Sequence, residues 1–523
     1  MIHFRRHVLV SAIALALIDI PTTFAANNEA LEQRIRELES RLEKFEKATS
    51  KEAVTTQPNP EVEKLNTKVN TLERKLEVEK EVATANASNS PKVEAGPEGF
   101  RISSQDGKHQ LRIRGAVQTD GRFWINDHGG ANGPVNYTTG SGIPDSFQLR
   151  QARIWLEGKL WNSLYFKIMP DFASSSNILP DAYLDYAYVP FASFTAGKQK
   201  TPLSLERLQG DSETMFLERA YPTYLANNRD VGIMLHGEFA KPGYKTEYGG
   251  PVDFKNFISY QLGVFNGSGD NGSSNYNAPA TFDDKEFDGR IWAHPFQHAG
   301  IAWLEGLGLG VAGSWSHPNQ LALNKLVSAL GQSTFLDYSQ NRAGATAPIA
   351  EGIHTRIYPQ AYWYNGPFGL QGEYVVSNQQ LTGNYNSKLT QISQSNSAWQ
   401  VQASYVLTGE DNTFQSVKPF KPFDPLAGNW GALQIAGRYS ELNVDTTTFK
   451  FIDPTRGARD AASWTIGFNW FLNRNALIRA DYEETNYLGG AGSILSGTGV
   501  NTKYAIANRP TERVFATRFQ LSF

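Results

Sequence analysis

From Gln110 onward, apolar and polar residues alternate. Leu111, Ile113, Gly115, Val117 and Phe123 fall on one parity, and Arg112, Arg114, Gln118, Asp120 and Arg122 on the other. Successive side chains of a β-strand point to opposite faces, so this period of two predicts a strand with one apolar and one charged face. The same count continues near residues 147–160, 163–172, 181–189, 193–200, 230–239, 257–265, 285–294, 307–316, 354–364, 368–377, 397–408, 432–442, 462–472, 476–485 and 511–523, which makes sixteen strands. Long polar connections such as 127–145, 317–352 and 486–510 generally alternate with tight ones at 161–162, 190–191, 366–367 and 473–475. An even number of strands between one short-turned and one long-looped rim is the pattern of a transmembrane barrel. Two short-rim connections, 240–256 and 409–431, are longer than this pattern asks.

The last strand carries the signal most clearly. Phe515, Phe519, Leu521 and Phe523 share a face with Arg513 and Thr517, and Glu512, Ala516, Arg518, Gln520 and Ser522 share the other. The competing reading is a soluble sandwich, which seldom ends on an apolar, aromatic-terminated face. Tyr362, Trp363, Tyr364, Trp464 and Trp470 crowd strand ends, where their rings suit lipid headgroups.

Before the strands the period differs. Leu31, Ile35, Leu38, Leu42 and Phe45, then Val62, Leu65, Val69, Leu72 and Leu76, recur at spacings of four and three. These are core positions of a coiled coil over residues 27–82, interrupted at Gln57-Pro58-Asn59-Pro60 because proline cannot continue a helix. Helices this short gain stability from partners, and the alternative is a solvated single helix with a weak stripe. Residues 83–99, with Ser90-Pro91 and Gly96-Pro97, read as a linker to a barrel over 100–523. At the start, Arg5, Arg6 and His7 precede the apolar run Val8 to Ile18, and Ala25 and Ala26 follow, which is the form of a secretory signal peptide over 1–26. The expectation is therefore an all-β, sixteen-stranded antiparallel transmembrane barrel in the bacterial outer membrane, preceded by a short periplasmic coiled coil.

Composition sharpens this picture. No later segment supplies the roughly 20 uninterrupted apolar residues of a membrane helix, yet the chain is 12% aromatic with 46 glycines. A barrel reconciles these facts, since only every second strand residue meets lipid. The absence of cysteine removes disulfides and thiolate metal sites, and a formal charge of −3 over 523 residues points to no nucleic-acid partner.

Candidate chemistry lies on the water-facing parity, which includes Arg114, Arg122, Arg153, Arg290, Arg356, Arg438, Arg479 and Arg518. A charge facing lipid at mid-membrane costs about 2–4 kcal/mol, which favours the inward assignment. Inward arginines either draw anions and donate paired hydrogen bonds to their oxygens, or pair with Asp120, Glu157, Asp185, Glu373 and Asp481 on the same wall. Other signals are weak. Gly308 to Gly313 has dinucleotide-binding spacing but lies inside a strand, His294 and His298 lack a third metal ligand, and Asp283, Asp284, Glu286 and Asp288 read as a solvated acidic loop rather than a calcium site. No cofactor, metal or enzymatic activity is expected.

The stretch Gly197-Lys198-Gln199-Lys200-Thr201-Pro202-Leu203-Ser204-Leu205-Glu206, with Phe216 to Pro222 and Asn228 to Gly237, resembles the phosphate-selective porin O and P family. Arg150 to Gly158, Gly431 to Ser440 and the Trp464 to Asn475 hairpin resemble it too. The resemblance implies a trimer, a channel narrowed by an inward-folded connection after the fifth strand, and a ladder of inward arginines leading anions toward lysines. It places Arg150, Arg153 and Arg438 on the wall and Lys198 and Lys200 at the start of the inserted loop, which itself carries Arg207 and Arg219 but no lysine. It also implies that Phe523 serves as an assembly signal. The function expected is passive diffusion of small anions, phosphate or related oxyanions among them. The alternative is a structural or adhesive outer-membrane anchor displaying its loops.

Overall fold

The computed structural model describes residues 36–37, 40, 43–44, 60–89, 91–125, 135–136, 141–174, 178–245, 255–274, 285–494 and 504–523. The chain divides into two compact units, Met1–Lys92 and Val93–Phe523. The first contains α1 (Pro60–Asn89), begun by a proline in its first turn, where the missing N–H costs nothing. Val69 is buried and Leu72 and Leu76 are half-buried, while the other described side chains of the helix are exposed. Val69, Leu72 and Leu76 of the second apolar set thus share one stripe. The signal peptide and the first apolar set, Leu31 to Phe45, lie outside the described residues, and the pairing that a coiled coil needs is not seen. The expected linker differs from what is observed. The alanines at 83, 85 and 87 carry the helix on to Asn89, and the next residues form two strands, β1 (Lys92–Gly96) and β2 (Gly99–Ser103).

The barrel follows as β3 (Gln110–Trp124), β4 (Ser146–Leu160), β5 (Leu164–Met169), β6 (Asp181–Val189), β7 (Ala192–Gln199), β8 (Asp230–Phe239), β9 (Ile258–Phe265), β10 (Glu286–Ala293), β11 (Leu307–Ser316), β12 (Ile349–Asn365), β13 (Phe368–Tyr385), β14 (Lys388–Val406), β15 (Ala432–Asn443), β16 (Ala458–Phe471), β17 (Ala476–Ile494) and β18 (Glu512–Ser522). Each pairs antiparallel with the next, and β18 returns to β3 in register from Val514↔Trp124 to Ser522↔Ala116. Closure leaves no strand edge among the sixteen, which a lipid environment requires because it offers backbone groups no partners.

The alternation is realised around the ring. Ile233, Leu262, Ile291, Val311, Ile357, Val401, Ile435, Ile466 and Phe519 are exposed on the outer face, while Gln261, Arg290, Gln360, Gln402, Arg438, Asn469, Arg479 and Arg518 are buried on the inner one. At the seam, β2 pairs with the start of β3 from Phe100↔Ile113 to Ser103↔Gln110. Phe523 packs edge-on against Phe100, 6.4 Å between centroids, and lies over Gly115, where a Cβ would come within 2.7 Å of the ring.

The strands of the β13–β14 hairpin are longer than alternation suggests. They pair from Phe368↔Tyr405 to Tyr385↔Lys388, and Asn386 and Ser387 turn the chain with φ of 51° and 61°. A two-residue turn with both central residues at positive φ matches the twist of its flanking strands. Residues 378–396 are rich in Ser, Asn and Gln on both faces, so no apolar period marks them as strand.

Three of the long-rim connections fold inward. Tyr221, Tyr224 and Leu225 of the 200–229 connection, Leu326, Phe335 and Leu336 of 317–348, and Phe451 and Ile452 of 444–457 form one apolar core with Tyr358, Val375, Leu381 and Leu442 of the wall. This core fills the barrel interior beside β12–β15.

Candidate functional site

The connection between β7 and β8 is a constriction loop running across the lumen. It opens with one helical turn, α2 (Leu205–Leu208), capped by Ser204, whose hydroxyl accepts from Arg207 N. Glu373 of β13 receives the start of this turn. It accepts from Ser204 Oγ at 3.1 Å and Leu205 N at 2.8 Å, as a carboxylate should at a cluster of free N–H groups.

Further along, the wall holds the loop by its main chain. Arg479 donates to the carbonyls of Thr214 and Phe216, Asn469 to Met215 O, Arg518 to Leu217 O and Arg438 to Glu218 O, while Leu217 N donates to Asp481. Tyr221 Oη lies 2.7 Å from Ser463 Oγ. A loop buried in this way needs such partners, because its unpaired amides and carbonyls would otherwise be costly.

Two of the loop's four acidic side chains, Asp211 and Glu218, are hubs. Asp211 pairs with Arg153 of β4 and with Arg219 of the loop itself, and Glu218 accepts two bonds from Arg150, at 2.8 and 3.0 Å, and another from Arg122. Burial pushes the Asp211 carboxyl upward, but Arg153 and Arg219 outweigh it and hold the group well below the usual carboxylate range. At Glu213 burial is the larger effect and raises the carboxyl, although Lys200 and the hydrogen bond from Gly210 N oppose it.

The nine arginines expected on the wall fall into two sets. Arg122, Arg290, Arg356, Arg438, Arg479 and Arg518 are almost wholly buried. Arg356 joins Asp270 and Glu286 at 2.8 and 2.9 Å, Arg518 grips Asp120 through two 2.7 Å bonds, Arg438 reaches Glu483, and Arg290 donates to Gln360 and lies over Trp292. Their donors are taken up by loop carbonyls and by acidic or amide side chains of the wall and loops. Arg114, Arg150 and Arg153 retain exposed surface, and Arg150 is the most telling: its side chain is 37% exposed, against 8% for its partner Glu218. Arg150 and Arg153 differ in parity yet both reach constriction-loop carboxylates, because the β3–β4 register shifts by one residue between Gln118 and Thr119.

Of the loop candidates, Lys200 Nζ donates to the carbonyls of Leu208 and Gln209, and Arg207 donates to Thr223 O and to the side-chain oxygens of Asn228 and Asn271. Lys198 is buried on β7 opposite Val231, and Arg219 donates to Glu206 O and Gln209 O. Alternation had passed over Lys167 of β5, 22% exposed over the 6% exposed Asp181, which Arg229 also holds at 2.9 Å. A six-residue strand is too short to declare its parity.

A second inward element comes from the short rim. The 407–431 connection, whose length alternation left without a role, sends Phe414 into the mouth, where it stacks on Tyr362 with centroids 5.3 Å apart and its carbonyl accepts from Gln209 of the constriction loop. Phe414 lines two cavities, of about 400 and 490 Å³. One is lined by Lys241, Lys245 and Lys255, the other by Glu213, Lys418 and Lys255.

Among the described residues no group of three or more His, Asp or Glu side chains converges as a metal site. Asp283 and Asp284 lie outside those residues, Glu286 is taken by Arg356, and His294 bonds Asn256 O and Tyr362 Oη at 2.8 Å each.

A closed sixteen-stranded barrel with an apolar outer face, a polar interior and an inserted loop defines the class: an outer-membrane channel of the porin type. Residues 117–488 match the phosphate-selective porin O and P family, and the chain belongs to it. A comparison with curated proteins found no match. Among solved structures the chain is similar to the outer membrane channel DcaP of Acinetobacter baumannii, with 12% identity, a TM-score of 0.46, and coverage of 81% of this chain and 99% of that one. It is similar to an anion-selective porin from Comamonas acidovorans, at 11% identity and a TM-score of 0.43, covering 79% and 99%. It is also similar to OmpT of Vibrio cholerae in its trimer form, at 13% identity and a TM-score of 0.44, covering 79% and 99%.

Proposed function

We propose that the protein passes small anions, oxyanions of the phosphate class among them, by passive diffusion through the space left between the constriction loop and the wall of β3–β8. The observation that carries this reading is an asymmetry of exposure. In three ion pairs of this wall the cation is more exposed than its carboxylate: Arg150 over Glu218, Lys167 over Asp181 and Arg153 over Asp171. A permeating ion meets the nearer charge first, and in a narrow low-dielectric passage that charge is felt most strongly. Guanidinium groups also offer oxyanions paired hydrogen bonds that chloride cannot use equally. Reversal potentials across a salt gradient in planar bilayers test this. Anion selectivity is expected, and a cation-selective wild type would refute it.

The second reading, an anchor whose lumen is closed, is favoured by the apolar core that three connections build inside the barrel. Near-zero single-channel current would establish it in place of the first. We further propose that the protein assembles as a homotrimer, with α1 contributing its stripe to a periplasmic bundle. A monomer in mild detergent, with residues 27–95 intact, would defeat that proposal.

A further inference from the structure

The 407–431 connection has a second half that the channel does not use. After Val417 tucks against Val406, Ala432, Phe471 and Leu477 inside the rim, the chain passes outward through Lys418-Pro419-Phe420-Lys421-Pro422-Phe423. Phe423 N donates to Leu472 O, and the Phe423 ring meets Trp470 edge-on at 5.1 Å. Trp470 shares its parity with Ile466 and Phe468, both exposed on the lipid-facing side, and its indole N–H donates to Trp430 O at 2.7 Å. The connection therefore wraps the rim and continues the apolar outer face. Beyond that anchor point Phe420 is 74% exposed, Trp430 61% and Leu426 99%.

We propose that residues 420–430 are an interfacial anchor seated among the phospholipid headgroups of the leaflet at the short-turned rim. Three observations select lipid as the occupant. The patch is continuous with the barrel's lipid-facing surface through Trp470. It combines an aromatic and aliphatic tip with Lys421, a cation placed to meet lipid phosphate. Its backbone closes on itself, with Asp424 and Asn429 exchanging 2.9 Å hydrogen bonds, so the tip can enter a headgroup layer without stranding those amides. The same connection carries Phe414, whose carbonyl is held by Gln209 of the constriction loop. The anchor would thus tie the lipid surface to the constriction through one run of seventeen residues, Phe414 to Trp430.

The chain has no cysteine, so single labels are straightforward. Leu426→Cys, and separately Gln415→Cys at the exposed lumen mouth, would be labelled with an environment-sensitive fluorophore. The full-length protein would then be reconstituted, at high lipid excess, in vesicles of phosphatidylethanolamine and phosphatidylglycerol. The expected result is blue-shifted emission at 426 with loss of fluorescence to a headgroup-proximal nitroxide lipid, greater than to a chain-end nitroxide, and no such loss at 415. Water-like emission at 426 would overturn the proposal. So would a blue shift that lipid nitroxides fail to quench, since that would place the tip against another protein surface, such as a second copy. The exposed Ala427→Cys provides a second site if the 426 label disturbs insertion.

Discussion

Replacing Arg150 and Lys167 together by glutamine isolates the charges proposed to set selectivity. Both are more exposed than their partners, and neither partner is orphaned by the change: Glu218 keeps Arg122, with Arg518 at 3.8 Å, and Asp181 keeps Arg229 at 2.9 Å. The fold should therefore stand. A unit charge about 7 Å from a passing ion is worth roughly 0.6 kcal/mol at the dielectric of water and about 2.4 kcal/mol at an effective value near 20. Each charge then changes local anion occupancy by roughly three- to fifty-fold, before screening, which at physiological salt acts over about 8 Å. Even the lower bound for two charges predicts a fall of at least about fivefold in the anion-to-cation permeability ratio at low salt, shrinking as salt is raised. Reversal potential under a salt gradient reads this directly, and circular dichroism with heat-modifiable gel migration checks folding. A folded double variant with unchanged reversal potential would refute the assignment of selectivity to these cations.

Arg438→Gln should act differently, since Arg438 is buried, holds Glu218 O at 2.7 Å and neighbours Glu483 and Glu206. Breaking a buried pair costs about 3–5 kcal/mol, so the constriction loop should loosen, and single-channel conductance and open-channel noise should both rise; an unaltered trace would show that the loop does not limit flow. For Glu213, which burial raises, the folded protein favours the neutral form more than a free side chain does, so it takes up a proton at a higher pH than a free glutamate. Anion preference should then increase as pH falls and Glu213 protonates, and Glu213→Gln should remove that step; Asp211, depressed by its arginines, should stay ionised through it, so its clasp persists. Deleting Phe523 removes the ring that packs on Gly115 and Phe100, worth about 1.5–3 kcal/mol at most, too little to unfold the barrel. Outer-membrane yield should nonetheless drop severely, and normal yield would argue against an assembly role.

Much of this architecture is written in alternation, because lipid on one side and polar groups on the other impose a period of two on each spanning strand. That is why the sixteen strands and the inward face of Arg438 and Arg518 are legible. Where both faces meet polar surroundings the period vanishes, and residues 378–396 read as loop although all but the turn at Asn386 and Ser387 is strand. The parity of Arg150 is hidden by a register shift that no local pattern announces. The inserted loop has no period at all, since its main chain is satisfied by wall side chains scattered from Gln118 to Gln520. Whether an inward arginine meets solute or a carboxylate depends on those long-range partners, so the division between Arg150 and Arg438 becomes visible only in three dimensions.

The seam between β18 and β3 has a consequence for how the molecule comes into being. Gln118 and Gln520 are hydrogen-bonded at 2.8 Å although 402 residues separate them. Neighbouring hairpins can zip locally and quickly, but this one junction must wait for the final residues and pay the loop-closure entropy of nearly the whole chain. Until then β3 and β18 present two open strand edges, each able to pair with another chain. The clasp of Phe100, Gly115 and Phe523 joins the two ends of the ring where that wait is over. A chain stopped short of its last strand would have no smaller barrel to fall back on.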